Sequence, residues 1–232
     1  MPETLKVVTT VALQGVLEKL APEFTQATGL SIAMTFAPPA PTLQLIRDGE
    51  AADVVISTPA GIDELIQEGT VAAGSSRVVV SMIMGLAVGA KEPKPDISTP
   101  EKFKQALLGA RSIIHADPAK GSPSAAHFLK VVDRLGIAAE IRRKTTMRSG
   151  VVAHAVADGE CAMAVQQLAE LMLVDGVSVL GPFPSELQNV MPLAAAVHAK
   201  AAAPQPARAL IELLATPRAK AVIVKSGLLA AS

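Results

Sequence analysis

The stretch Ala52-Asp53-Val54-Val55-Ile56-Ser57-Thr58-Pro59 decides the fold class. Its first half is a short apolar run entered from the turn pair Asp48-Gly49, and it reads as a strand over Asp53 to Ser57. Its second half is a helix start, because a hydroxyl caps the first free amides and proline fits where no N–H is needed. A strand that runs directly into a capped helix is the repeating unit of an α/β fold with a largely parallel sheet. Gly69 ends that helix. The same start recurs at Thr99-Pro100, Ser122-Pro123 and Thr216-Pro217, predicting helices that stop at Gly109, Gly136 and Gly227. Upstream, Leu5 to Thr9 and Ser31 to Phe36 read as strands around a helix through Leu13, Val16, Leu17, Leu20 and Phe24. A short helix from about Pro41 leads back to Asp48-Gly49. Downstream, Ser112 to Ala116, Glu160 to Val165 and Ser178 to Leu180 are the strand-like runs.

Two further segments differ from these. Val78 to Val88 and Met191 to Val197 are long and almost wholly apolar, near one-third and five-sixths of the chain. If both cross between two lobes, residues 1–82 and 194–232 form one discontinuous lobe and 83–193 an inserted second lobe. The hinge strands then lie near 78–88 and 190–197, and a hinge between α/β lobes makes a ligand cleft. Each lobe is expected to be a mixed, mostly parallel sheet flanked by helices.

Composition narrows the ligand. The 232 residues carry 21 basic and 21 acidic side chains and are half hydrophobic, which excludes disorder. The charge balance argues against a dedicated nucleic-acid surface, which needs a basic excess. There are five Phe and no Tyr or Trp, so little is available to stack on sugars or bases, and no phenol can serve as a general acid. A small, non-aromatic, polar or anionic ligand follows. Cys161 is the only cysteine, so no intrachain disulfide forms, and its apolar neighbours suit a packed thiol. Met1-Pro2-Glu3-Thr4-Leu5-Lys6 lacks the basic and apolar regions of a signal peptide. The longest apolar stretch, Val78 to Ala90, falls short of the ~18 residues wanted for a membrane span. A soluble, monomeric protein without membrane insertion is expected.

A family resemblance rests on three segments in register. Lys6-Val-Val-Thr-Thr-Val-Ala-Leu13, followed by Leu17, Ala21 and Phe24, is similar to the N-terminus of a type II periplasmic solute-binding protein. Asp48-Gly-Glu-Ala-Ala-Asp-Val-Val-Ile-Ser57 is similar to that family's third strand, and Leu213 to Leu228 resembles its terminal helix and Gly-plus-apolar end. The branch most resembled is the molybdate-binding-protein-like group, which has aconitate-isomerase-type relatives. The resemblance implies a two-lobed fold with the ligand cleft between lobes, an ABC-transporter membrane component as partner, and no cofactor. It also marks departures. Positions where molybdate binders supply serine hydroxyls fall on or near Ala12 and Pro39, and the position of an aromatic hydroxyl falls near Gln166. Alanine has no side-chain donor and proline not even the backbone one, so molybdate fits poorly.

Ligands of such sheets sit beyond the C-terminal ends of strands, where helix-start amides favour negative charge. That rule selects Thr9, Thr10, Thr42, Ser57 and Thr58 from the first lobe. From the second it selects the loop Ala119 to Ser124 with Gly121 and Ser122, then Arg148, Ser149 and Gly150, and Gln166 with Gln167. Each has a plainer reading. Thr9, Thr10, Ser57, Thr58 and Ser122 suit helix caps, and Gly121 suits an ordinary turn. Arg148 can grip a carboxylate through two bonds or simply continue the basic run Arg142-Arg143-Lys144. Glu170 is a helix-face carboxylate or a partner for Arg148. Among His115, His127, His154 and His198 no pair has ligand spacing, so no metal is expected.

Three functions compete. The first is a binding protein that closes reversibly on a small anion, an organic carboxylate or other oxyanion, and delivers it to an ABC transporter. The second is an isomerase on the same scaffold moving a proton on a small carboxylate, with the base drawn from His115, Lys120 or Glu170 and with Arg148 stabilising charge. The third, the effector lobe of a transcription regulator, needs a helix-turn-helix segment for which the chain has no room. A periplasmic location is expected for a mature form whose leader has been removed, and a cytoplasmic one if Met1 is the native start.

Overall fold

The structure is a computed structural model that describes residues 4–231. Met1, Pro2 and Glu3, on which part of the leader reading rests, lie outside the described residues, as does Ser232. From the N-terminus, β1 (Thr4–Thr9) passes through a 3-10 turn (Val11–Leu13) into α1 (Gln14–Thr28). β2 (Ser31–Phe36) leads into α2 (Pro39–Arg47), and β3 (Val54–Ser57) into α3 (Pro59–Gln67). Next come β4 (Arg77–Met82), β5 (Met84–Gly89), α4 (Pro100–Gly109), β6 (Ile113–Ala116), α5 (Pro123–Arg134) and α6 (Ala138–Arg143). They are followed by β7 (Thr145–Arg148), α7 (Ala153–Ala157), β8 (Met163–Gln167), α8 (Leu168–Leu171) and β9 (Val177–Pro182). The last elements are β10 (Met191–Val197), α9 (Pro204–Leu214), α10 (Pro217–Lys225) and β11 (Leu229–Ala230).

All four hydroxyl-proline starts work as the sequence requires. Thr58, Thr99, Ser122 and Thr216 accept from the amides of Gly61, Lys102, Ala125 and Ala219, at 3.3, 3.3, 3.4 and 3.2 Å. In each case proline occupies the first helical position, where its missing N–H costs nothing.

Contacts divide the chain into two compact units, 1–82 with 191–232, and 83–190. In the first, a six-stranded sheet has the order β11-β4-β10-β3-β1-β2. Its β1 runs parallel to β2 and β3, while β10 is antiparallel to β3 and β4. One face packs Val8, Val55, Ala194 and Ala196 against Leu43 and Ile46 of α2 and Ile62 and Leu65 of α3. Asp53, buried just before β3, holds this unit together across long sequence separations. One carboxylate oxygen accepts the Lys6 amide at 2.9 Å and the other the Ala203 amide at 3.0 Å.

In the second unit, a five-stranded sheet has the order β7-β6-β8-β5-β9, with β6 parallel to β7 and β8 and β5 antiparallel to β8 and β9. The long run 78–88 is therefore two strands in two sheets, broken at Ile83. Alternation along the strands sends side chains to two cores. Ile113, Met163, Val165 and Leu86 join Phe103, Phe128 and Phe183 on one face. Ile114, Ala164 and Ala87 join Val152, Ala153 and Val156 on the other, where alanines let α7 approach closely. Gly85 marks another close approach: a Cβ there would stand 2.6 Å from Leu168 Cδ1 and 3.0 Å from the Gly181 carbonyl oxygen. Gly85→Ala is expected to cost about 1–3 kcal/mol by overpacking, read as a lower urea midpoint.

Candidate ligand site

In residues 1–82 with 191–232, the parallel pairing of β1 with β2 and β3 brings three strand ends to one edge of the sheet. Thr9 ends β1 fully buried, and its hydroxyl has no hydrogen-bond partner. Thr10 stands at the N-cap of the 3-10 turn but makes no side-chain cap bond, so the capping reading does not account for either threonine. The other two hydroxyls are engaged. Thr42 lies inside α2 and donates to the carbonyls of Ala37 and Pro38 at 3.2 and 3.1 Å. Ser57 ends β3 and donates to the Pro39 carbonyl at 3.0 Å, tying β3 to the start of α2. Thr58, not Ser57, caps α3. The start of α2 is poor in donors: Pro38, Pro39 and Pro41 have no N–H, and the Thr42 amide is spent on Pro38. Ala12, in the turn after β1, is buried and has no side-chain donor.

In residues 83–190, β6, β7 and β8 are parallel and end side by side, with Ala116 opposite Arg148. Three groups from the sequence rule meet at this edge. Asp117 caps the 3-10 turn Pro118–Lys120, and Gly121 closes it at φ 76°, a left-handed conformation suited to glycine. Ser122 caps α5 and shares a 3.0 Å hydrogen bond with the buried Ser124 hydroxyl. Arg148 ends β7 with its guanidinium exposed and paired with Glu160, which raises the arginine above its ordinary value. Ser149 is exposed beside it.

Gln166 is buried and fully occupied. Its Oε1 accepts the Val152 amide and its Nε2 donates to the Gly150 carbonyl, both at 2.8 Å, so it braces the turn that follows Arg148. Gln167 is buried too, but its Oε1 has no partner. One turn on, the Glu170 carboxyl is pushed up to about 7 by burial, an effect the Gln166 side chain partly offsets by donating to it.

The remaining candidate bases are differently placed. His115 is buried on β6, donates from Nδ1 to the Ala116 carbonyl at 2.7 Å, and meets Phe128 edge-on; burial holds it below its ordinary value. Lys120 is exposed on its turn. His127 is a structural tie, its Nε2 lying 2.7 Å from the Leu187 carbonyl oxygen. Among the described residues no group of His, Cys, Asp and Glu could hold a metal ion, and no helix is long and apolar enough to cross a membrane.

Two features escape the sequence reading. β7 is polar and was legible only as a basic run leading to a helix, and the Gln166 brace joins residues on separate loops. For Asp53 a signal did exist, namely a carboxylate at the head of a wholly apolar strand.

Two mixed α/β sheets, each with its polar loops at the ends of parallel strands, define the fold of two-lobed periplasmic solute-binding proteins. The chain belongs to the bacterial extracellular solute-binding protein family, whose profile matches residues 5–229. A relative with 31% identity is the aconitate isomerase of a Pseudomonas species, with 97% of this chain and 87% of that protein covered. The periplasmic molybdate-binding protein of Azotobacter vinelandii is similar in structure, with a TM-score of 0.80, 21% identity, and 98% and 100% of the two chains covered. PEB3, known from Campylobacter jejuni and solved with L-phospholactate, superposes with a TM-score of 0.72 at 12% identity over 98% and 100% of the chains.

Proposed function

We propose that the protein is a periplasmic binding protein for a small organic polycarboxylate, serving an ABC transporter. The observation that carries this reading is the start of α2. A tetrahedral oxyanion held by neutral donors needs hydroxyls and amides there, yet three prolines remove amides while Thr42 and Ser57 donate to carbonyls of residues 37–39. Donors remain at Thr9 and Thr10, at the α5 start beside Ser122 and Ser124, and at Arg148. The Arg148–Glu160 pair is exposed on both sides, and such pairs contribute little. A ligand carboxylate can therefore replace Glu160 at small cost and gain a bidentate contact. The relative acting on aconitate, a tricarboxylate, lends this ligand class weight.

Thermal melts with molybdate, sulfate, citrate and trans-aconitate test the reading. At a hundredfold excess over Kd a bound polycarboxylate should raise Tm by roughly 5–10 °C. Arg148→Ala should weaken that rise at equal ligand concentration while leaving the ligand-free Tm unchanged. Stabilisation by molybdate alone would sink the carboxylate reading.

A second reading, an isomerase acting on the same class of anion, is favoured by the 31% identity to aconitate isomerase across nearly the whole chain. Proton transfer next to a carboxylate needs a base that is neutral or ionised as required near pH 7, and Glu170 is the candidate whose carboxyl is so placed. Incubation with trans-aconitate in D2O, followed by NMR, distinguishes the two: deuterium incorporation or a new isomer means catalysis, and an unchanged spectrum means binding alone.

A further inference from the structure

Glu170 is a carboxyl without a counter-ion. It lies on α8, which packs against β5, β8 and β9, and none of those three strands carries an ionisable side chain. The nearest charged residues along the chain, Asp158 after α7 and Asp175 after α8, are acidic and exert no resolved influence on it. Its one polar neighbour is Gln166, whose amide simultaneously holds the Gly150 carbonyl and the Val152 amide. A charge there is separated from the Arg148-Ser149-Gly150 turn by a single side-chain amide. Burying an uncompensated carboxylate is costly, and the group answers by keeping its proton.

We propose that Glu170 makes anion binding proton-linked: an anion held at the ends of β6, β7 and β8 binds with uptake of a proton at Glu170 and leaves as that proton is lost. The inference rests on the anion-binding reading above and names how that site is regulated. Its physical basis is reciprocity. An anion beside the turn disfavours a second negative charge one amide away, so it favours the protonated carboxyl, and the protonated carboxyl favours the anion by the same factor. Glu170 acts here through Gln166 and through its field, as a positioning residue that need not touch the ligand.

The experiment is calorimetric titration with trans-aconitate at pH 6 and pH 8, for the protein and for Glu170→Gln. Glutamine keeps the shape and the contact to Gln166 while removing the titration, so the variant is not expected to lose its fold; circular dichroism checks this. The affinity of the unaltered protein should fall about tenfold between the two pH values, and repeating the titration in buffers of different ionisation enthalpy should show proton uptake near pH 7. In Glu170→Gln the affinity should be flat and the proton uptake absent. Binding with the same pH slope in both proteins would overturn the linkage and leave the anion-binding reading standing. Absence of binding at both pH values would refute the polycarboxylate reading itself, and the linkage with it.

Discussion

Asp53→Ala is expected to lower stability by about 3–5 kcal/mol, the largest loss from a single polar side chain in residues 1–82 with 191–232. The carboxylate is buried, and its two oxygens accept from backbone amides 47 and 150 residues away. Alanine removes two hydrogen bonds to a charged acceptor and leaves the Lys6 and Ala203 amides buried without partners. Each such loss costs roughly 1.5–3 kcal/mol. Asparagine is a weaker test because its one oxygen can satisfy one amide while its NH2 faces the other N–H, so an intermediate loss is expected. Urea unfolding followed by circular dichroism gives the number. A midpoint within error of the unaltered protein would mean that water or rearranged backbone replaces the clasp. The clasp joins β1, β3 and the segment before α9, so its loss should loosen the first sheet without touching the loops of residues 83–190.

The second large effect is pH-dependent and opposite in sign. Glu170 holds its proton up to about pH 7 in the folded chain, against an ordinary value of 4.5. Between those values the folded state binds more protons than the unfolded one, so stability falls as pH rises through that window and stays low above it. Glu170→Gln removes the titration. The variant should match the unaltered protein near pH 4.5 and exceed it by roughly 2–3 kcal/mol at pH 8, as a melt or urea series across the range would show. Equal pH profiles for the two proteins would mean that the carboxyl is solvated and ionises normally. The sign matters, because a carboxylate stabilised by an ion pair would give the reverse trend.

These two acids also show what the sequence could and could not reveal. The fold was legible because α/β chains punctuate themselves. Four hydroxyl-proline pairs each became a capped helix, and Ser31 to Phe36 and Met191 to Val197 formed the strands their apolar content predicts. Boundaries slipped where a turn competed with an apolar run. Glu160 to Val165 was expected as a strand, but the amides of Glu160 and Cys161 turn back to the Ala155 carbonyl. β8 therefore starts at Met163 and extends through Gln167 by pairing with β5. β7 went unread because an edge strand paired on one side needs no apolar alternation, and three of its four residues are exposed.

The site was legible in residue types and positions but not in which donors are free. Thr42, Ser57 and Gln166 look as available in sequence as Thr10, Ser122 and Gln167. Their hydrogen bonds run to carbonyls and amides of other loops or of the preceding turn, which only the assembled chain brings within reach. Arg148 illustrates the same limit, since Glu160 pairs with it from across a helix and a turn. The solitude of Glu170 is likewise a tertiary property, set by three strands that happen to carry no charge.

The most direct test of the central claim is a calorimetric titration of the protein at pH 6 with trans-aconitate and, separately, with molybdate. Saturable binding of the tricarboxylate, weakened by Arg148→Ala, with no heat from molybdate is the predicted result. Saturable binding of molybdate with none of trans-aconitate or citrate would contradict it, showing that the prolines at the start of α2 do not exclude a tetrahedral oxyanion.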